Sequence, residues 1–429
     1  MGRMLVPTLA LFALVGLACG DGDNGTTEPV ITTGSVEVLL TMTGEYLDAD
    51  GCQVSIDGGD SRLLEPGGPV MFTELSPDAH SLLVDGVAAN CSIQGQNPRD
   101  VNVVAGQTVQ TTYVIECTPC GVGWIGYEAT DLGTLGGRNI GIATGINDRG
   151  QVVGYSYVDS NAYHAFLWEN GVMTDLGSYD GYAVAINNAG QVLISGGGHA
   201  FLWDDGVVTE IGESWTRAIN NRGQVVGFLY LPELRFAMWQ NGVITDLGSL
   251  DQFEGYALDE IDDIVAEAVN EHGQVIVNIW SSELDWTAVL WDDGVIKSLT
   301  DDPRSGSYGM DIDDHGRVVG LAPSSSPLPG RGFLWEDGVL THLDGFDALG
   351  INNCGQVVGY VRTSAGAYHA ALWENGVITD LGVLDASWPH SIGNAINIHG
   401  QVVGYSYDQG DPNSSEDNVR RATLWTPIR

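Results

Sequence analysis

Side chains that can do chemistry are plentiful in this 429-residue chain, but few of them converge along the sequence. The formal charge is −40, from 56 Asp and Glu against 16 Lys and Arg. Paired carboxylates serve general acid and base work, or hold a hard cation through loop oxygens. The densest acidic stretch is Asp259-Glu260-Ile261-Asp262-Asp263, with Asp285 further on. It does not follow the twelve-residue spacing of a calcium loop, and neither does the run from Asp408 to Asp417. Ca²⁺ at Asp259, Asp262 and Asp263 is therefore the one cofactor kept in view, and the plainer reading is a solvated acidic surface. His164, His199 and His369 share one sequence context, while His272, His315 and His399 each stand just before a glycine. Recurrence of that kind reads as a structural task rather than a metal set. No Gly-x-Ser-x-Gly, His-Glu-x-x-His, phosphate-binding Gly loop or dinucleotide fingerprint occurs, so no catalytic residue is assigned. The acid excess repels phosphate backbones and excludes a nucleic-acid partner.

What must position these side chains is a repeat. Tyr163-His164-Ala165-Phe166-Leu167-Trp168-Glu169-Asn170-Gly171-Val172-Met173-Thr174-Asp175-Leu176-Gly177 returns nearly unchanged as Tyr368 to Gly382, with looser copies between and beyond. Four elements recur in order. They are Ala-x-x-Ile-Asn, Gly-Gln-Val-Val-Gly, a run ending in Leu-Trp, and Gly-Val-x-Thr-Asp-Leu-Gly. The turn glycines Gly150, Gly190, Gly223, Gly273, Gly316, Gly355 and Gly400 lie 40, 33, 50, 43, 39 and 45 residues apart, a unit of about 42. The elements are β-branched or aromatic. Asn-Gly or Asp-Gly between Trp and Val is the strongest short hairpin signal. Four strands at a period near 40 predict a propeller blade. The seventh copy stops at Leu424-Trp425-Thr426-Pro427 without its last strand, and the missing piece, Ala129-Thr130-Asp131-Leu132-Gly133, stands at the other end. The fold expected is all-β: a seven-bladed β-propeller over residues 121–429, closed by an N-terminal strand beside Trp425, which removes free edges.

Thr130-Asp131-Leu132-Gly133-Thr134-Leu135-Gly136-Gly137, Ile146-Asn147-x-x-Gly150-Gln151-Val152-Val153-Gly154 and His164-Ala165-Phe166 resemble the HAF-type extracellular repeat of bacterial surface proteins. The likeness covers residues 121–429 and implies an exported repeat protein. It carries over no catalytic set. The blades at 266–299 and 308–343 lose His-Ala-Phe or Asp-Leu-Gly.

Residues 1–18 read as a signal peptide, with Arg3 ahead of the apolar run Leu5 to Leu17, which is too short to span a bilayer. Gly16-Leu17-Ala18-Cys19 resembles a bacterial lipoprotein signal, which makes Cys19 the lipidated residue of a membrane-anchored chain at the cell surface or in the periplasm. Plain secretion is the alternative. Residues 19–33 form a polar linker. Residues 34–118 alternate in short runs separated by turn residues, which predicts a small β-sandwich similar to immunoglobulin-like or PEGA-like modules. Export allows disulfides, and Cys91 with Cys117 is the pair expected, leaving Cys52, Cys120 and Cys354 unassigned.

In a propeller of this order the long connections leave one face. Trp215, Tyr256, Trp286, Tyr308 and Trp388 belong to or border them, and aromatic faces beside carboxylates suit sugar rings. The function expected is non-enzymatic binding of a glycan or a protein at that rim. A propeller-type polysaccharide hydrolase or lyase, with its carboxylates among Asp259, Asp262, Asp263 and Asp285, is the second reading. A passive structural repeat is the third.

Overall fold

The computed structural model describes residues 32–44, 52–59, 61–85, 87, 91–117, 124–159, 161–177, 181–212, 214–231, 233–247, 263–281, 285–300, 306–322, 331–408 and 419–428. Among these residues every regular element is a β-strand, in nine four-stranded sheets, as the all-β expectation requires.

Two sheets belong to residues 34–117. The first runs across Val70–Leu75, Gly34–Gly44, Thr108–Cys117 and Cys91–Gln94, with its two long central strands parallel. The second runs across Arg62–Leu64, Cys52–Ile56, Ala79–Asp85 and Arg99–Asn102. Period-two alternation buries Val36, Val38 and Leu40 of the first sheet against Val54, Leu64, Leu82 and Val84 of the second, in one core. Cys91 and Cys117 are register partners joined by a disulfide of 2.01 Å. The buried Cys52 thiol donates to the Leu64 carbonyl at 3.9 Å, and Cys354 is disulfide-bonded.

The other seven sheets are antiparallel and fill residues 126–428. The first holds Gly141–Ile146, Val152–Tyr157, Tyr163–Glu169 and Val172–Gly177, and five more repeat that order. The seventh consists of His390–Ile396, Val402–Tyr407 and Arg420–Ile428, with Gly126–Asp131 as its fourth strand; Trp425 pairs with Ala129 there.

The repeat motif can be explained residue by residue. Successive residues of a strand face opposite sides, so the Val-Val of each second strand serves two neighbours. Val152 packs with Val403 of the seventh sheet, and Val153 with Val192 of the second sheet. The same alternation runs through Leu193 with Val225, Val226 with Val275, Ile276 with Val318, Val319 with Val357, and Val358 with Val402. Each such side chain contributes about 1.5–3 kcal/mol.

The Asn that ends each first strand links sheets by hydrogen bonds. Asn147 Nδ2 donates to the Asn187 carbonyl at 3.0 Å, Asn187 to that of Asn220, and Asn220 to that of Asn270. The series continues from Asn270 to Asp313 and from Asn352 to Asn397, and returns from Asn397 to Asn147 at 3.0 Å. His-Ala-Phe and Asp-Leu-Gly recur together because the histidine reaches the acid across the strands. His164 meets Asp175 at 2.9 Å, His199 meets Glu210 at 2.8 Å, and His369 meets Asp380 at 2.9 Å. Arg421 and Asp131 replace that pair in the seventh sheet, at 3.7 Å. The hairpin tips Asn170, Asp205, Asn241, Asp293, Asp337 and Asn375 all have φ between 44° and 50°, the conformation a tight two-residue turn demands and these residues tolerate best.

Candidate functional site

The seven first strands surround a cavity of about 470 Å³. In every one the pairing register slips by one residue at the same place, between Ala143 and Gly145 and at the six equivalent steps. A bulge of this kind leaves one residue unpaired and re-aims its side chain. The skipped residues are Thr144, Val184, Arg217 and Glu267 in sheets one to four, then Met310, Leu349 and Asn394, and all seven line the cavity. The repeat thus delivers one side chain per sheet to a central lumen, at the position where its copies differ most.

Charge is gathered on one half of that lumen. Arg217 lies 3.9 Å from Glu267, and the Tyr308 hydroxyl donates to Glu267 Oε2 at 2.9 Å. Burial raises the Glu267 carboxyl, against the opposing pull of Arg217 and of the Tyr308 hydrogen bond. Burial also raises the Tyr308 phenol, and the neighbouring carboxylate adds to the effect. On the other half, Asn394 and Thr144 are tied to backbone, donating to the Ala143 and Ala183 carbonyls at 2.8 Å each.

Asp311 stands one residue further along, where the other sheets carry Gly145, Ala185, Ala218, Ala268, Gly350 and Ala395. Its departure has a structural cause. The Asn relay breaks at Asp313, which has no amide to donate to the sixth sheet. The break is bridged by Asp311, whose carboxyl accepts from the Ile351 N–H of that sheet and from its own neighbour Ile312, at 2.9 Å each. Arg317, standing in place of the usual Gln, pairs with Asp313 and donates to the Asn353 carbonyl at 3.1 Å. Burial pushes the Asp311 carboxyl up to about 7, despite its two backbone donors.

Beyond the apolar ring that includes Ile146, Ile186 and Ile219 lies a second, smaller cavity of about 180 Å³. Its rim of Asp148, Asn188, Asn221, Glu271, Asp314 and Asn353 is committed internally. Each of the first five receives its side-chain partner from the next sheet, as when the Asp148 N–H donates to Asn188 Oδ1 at 2.9 Å. Among the described residues no group of three or more His, Cys, Asp or Glu is placed to hold a metal ion. Nor is any helix there long and apolar enough to cross a membrane.

The opposite face carries the connections between second and third strands, and it is aromatic. Tyr155, Tyr157 and Tyr163 sit 5.5–5.7 Å apart at the edge of the first sheet, and Tyr182 of the second lies 5.9 Å from Tyr155. Tyr360 and Tyr368 of the sixth sheet lead to His390 at 6.0 Å, then Tyr407 at 4.8 Å and Tyr405 at 5.6 Å in the seventh. Arg420 covers the Tyr405 ring at 5.4 Å and Arg138 the Tyr157 ring at 5.9 Å. Burial raises the phenols of Tyr155, Tyr405, Tyr360 and Tyr407, the last two to about 12.

The aromatic rim residues expected from sequence divide. Trp388 lies on the connection that precedes His390, with Arg421 5.9 Å from its ring. Trp286 and Tyr308 hold, in the fourth and fifth sheets, the repeat positions of Tyr163 and Tyr182. They are strand residues whose rings pack edge to face at 5.2 Å where the two sheets meet. Trp215 lies in the strand Ser214–Ile219, and its backbone pairs with Phe228. Tyr256, Asp259, Asp262 and Cys19 lie outside the described residues. Asp263 opens the fourth sheet and accepts from the Ile264 N–H at 2.9 Å. Sequence reasoning missed the lumen set of Arg217, Glu267 and Asp311. The available signal was charge inside Ala-x-x-Ile-Asn, an otherwise apolar or small segment.

No family model matches the chain, and no curated protein does. Among solved structures it is similar to the β-propeller domain of the Trilobed protease from Pyrococcus furiosus, at 10% identity and TM-score 0.43, over 72% of this chain and 91% of that one. It is similar to YCF48 bound to D1 peptide at 13% identity and TM-score 0.43, over 72% and 99%. It is also similar to GBS52, the minor pilin of Streptococcus agalactiae, at 14% identity and TM-score 0.18, over 21% of this chain; the match spans about half of that pilin, 47%. Likeness at these identities concerns fold alone, and residues 126–428 have a β-propeller fold.

Proposed function

We propose that this chain is an exported, lipid-anchored binding protein of the HAF-repeat type. Its seven blades, closed by the strand Gly126–Asp131, present a ligand-binding face, and the N-terminal β-sandwich spaces that face from a membrane held through Cys19. The observation that carries the reading is the arc of half-buried tyrosines with Arg138, Arg420 and Arg421 over aromatic rings, spread across four adjacent sheets. Clustered aromatic rings with hydrogen-bonding tips suit a glycan, whose sugar rings offer apolar faces and hydroxyl edges. A thermal-shift screen against cell-wall and plant glycans tests it. A saturable rise with one glycan, abolished by Tyr405→Ala and by Trp388→Ala, is expected. A flat screen, together with capture of a defined protein ligand lost in the same variants, would replace the glycan by a protein.

The hydrolase or lyase reading places its carboxylates near Asp263 and Asp285. It requires cleavage of the bound glycan that disappears in Asp263→Asn, and binding without cleavage excludes it.

A further inference from the structure

We propose that the central lumen, which meets the aromatic face at Tyr182, is a second binding site for a small zwitterion bearing a carboxylate and an ammonium group: an amino acid or a short peptide. Arg217 is the first reason. A bulge aims its guanidinium into the cavity, where its side chain is 41% exposed, and its one close charge partner is Glu267 at 3.9 Å. That distance is beyond hydrogen-bond reach, so the five N–H donors of the fork are unused among the described residues. A planar fork of donors matches a carboxylate in two-point contact.

The second reason is what faces it. Glu267, with a side chain only 13% exposed, gives one oxygen to the Tyr308 hydroxyl and turns the other toward the Arg217 side. Asp311 also lines the lumen from the next sheet, but both its oxygens accept backbone N–H groups. Glu267 is therefore the carboxylate that suits an ammonium, while Val184, Met310 and Leu349 offer aliphatic wall to the remainder of the ligand.

Charge selects among ligand types. A pure anion would enter a chain of net charge −40 with the Glu267 carboxyl facing the one guanidinium. A pure cation would leave the Arg217 fork empty. A zwitterion answers both signs and adds no net charge. The volume, about 470 Å³, is of the size that takes small molecules.

Isothermal titration of the full chain against free amino acids and di- and tripeptides tests this, with each ligand's N-acetyl and C-amide derivatives alongside. Saturable heat is expected from at least one zwitterion, with at least tenfold weaker binding when either terminus is blocked. Arg217→Met and Glu267→Gln should each weaken binding by tenfold or more while Tyr405→Ala leaves it unchanged, which separates this site from the aromatic face. Arg217→Lys, which keeps the charge and loses the fork, should weaken it as well, and it serves if the methionine variant does not fold. No saturable heat with any zwitterion at millimolar concentration would overturn the proposal. So would binding that survives both lumen substitutions, or equally tight binding of a blocked derivative or a neutral sugar.

Discussion

Replacing Asp311 by Ala, the residue of four sister repeats, should make the propeller less stable than the parent in acid and more stable above neutrality. The folded-state carboxyl sits near 7 against an ordinary 3.8. Below pH 4 the group is protonated whether the chain is folded or not, and it costs nothing. Between about 4 and 7 the unfolded chain releases the proton while the folded one retains it, so stability falls as pH rises. At about 1.4 kcal/mol per unit the loss reaches about 4 kcal/mol above pH 7, an upper figure for a group that water in the lumen partly reaches. The alanine variant escapes this loss. It also leaves the Ile351 and Ile312 N–H groups without their acceptor, at a cost of about 1–3 kcal/mol at every pH. The two stability curves should therefore cross near pH 5–6. Urea unfolding at pH 4.5, 6, 7 and 8 measures this, and all 12 tryptophans lie at or beyond Trp124, so their fluorescence reports the propeller alone. The −40 background weakens both proteins together and drops out of the difference. Curves that stay parallel within about 0.5 kcal/mol across that range would refute the reasoning.

In the relay between sheets, Asn187→Ala removes two donations from Nδ2 and one acceptance at Oδ1, the donation to the Asn220 carbonyl buried and the other two part-buried. It should cost about 2–4 kcal/mol in the same urea assay. In the N-terminal part, His80 meets Asp57 at 2.5 Å; that hydrogen bond and the Ser76 carbonyl raise the imidazole, while His80 and the Ser81 N–H lower Asp57. The pair stabilises from about pH 4, where Asp57 ionises in the unfolded chain, to about pH 6.5, and loses its effect as pH rises through the elevated His80 value. Hydrogen exchange in the strand Ala79–Asp85 should accelerate in the parent between pH 6 and 9 beyond the intrinsic base-catalysed rate, and His80→Gln should remove that excess. Reducing the Cys91–Cys117 bond, which closes a separation of 26 residues, should cost that part about 3 kcal/mol by chain entropy. The readout is denaturant unfolding with and without reductant.

The sequence announced whatever the fold requires in every copy. Val152 and Val153 recur because each faces a different neighbouring sheet, and Asn147 because its amide spans to the next. His164 and Asp175 recur because they meet each other. A requirement repeated seven times is visible in a single chain. A binding site breaks that repetition, which makes it hard to tell from drift. Arg217 and Glu267 look like two tolerated exceptions in Ala-x-x-Ile-Asn until the register shows that this x is the bulged residue and that consecutive bulges converge. The aromatic residues needed the register as well. Trp286 and Tyr308 follow variable connections in sequence, and only the pairing shows that they fall at the repeat positions of Tyr163 and Tyr182, their rings packed where two sheets meet. Asp311 carries the sharpest lesson. Its meaning depends on Asp313 two residues later, which has no amide to donate to sheet six, so that Asp311 and Arg317 both reach across to that sheet instead. Reading these departures in pairs, Asp313 with Arg317 and Asp311 with Ile351, separates repairs of the scaffold from side chains that the scaffold has no use for. By that criterion Asp311 is a repair that also faces the lumen, whereas Arg217, whose donors serve no strand and no turn among the described residues, is the residue whose presence a ligand would explain.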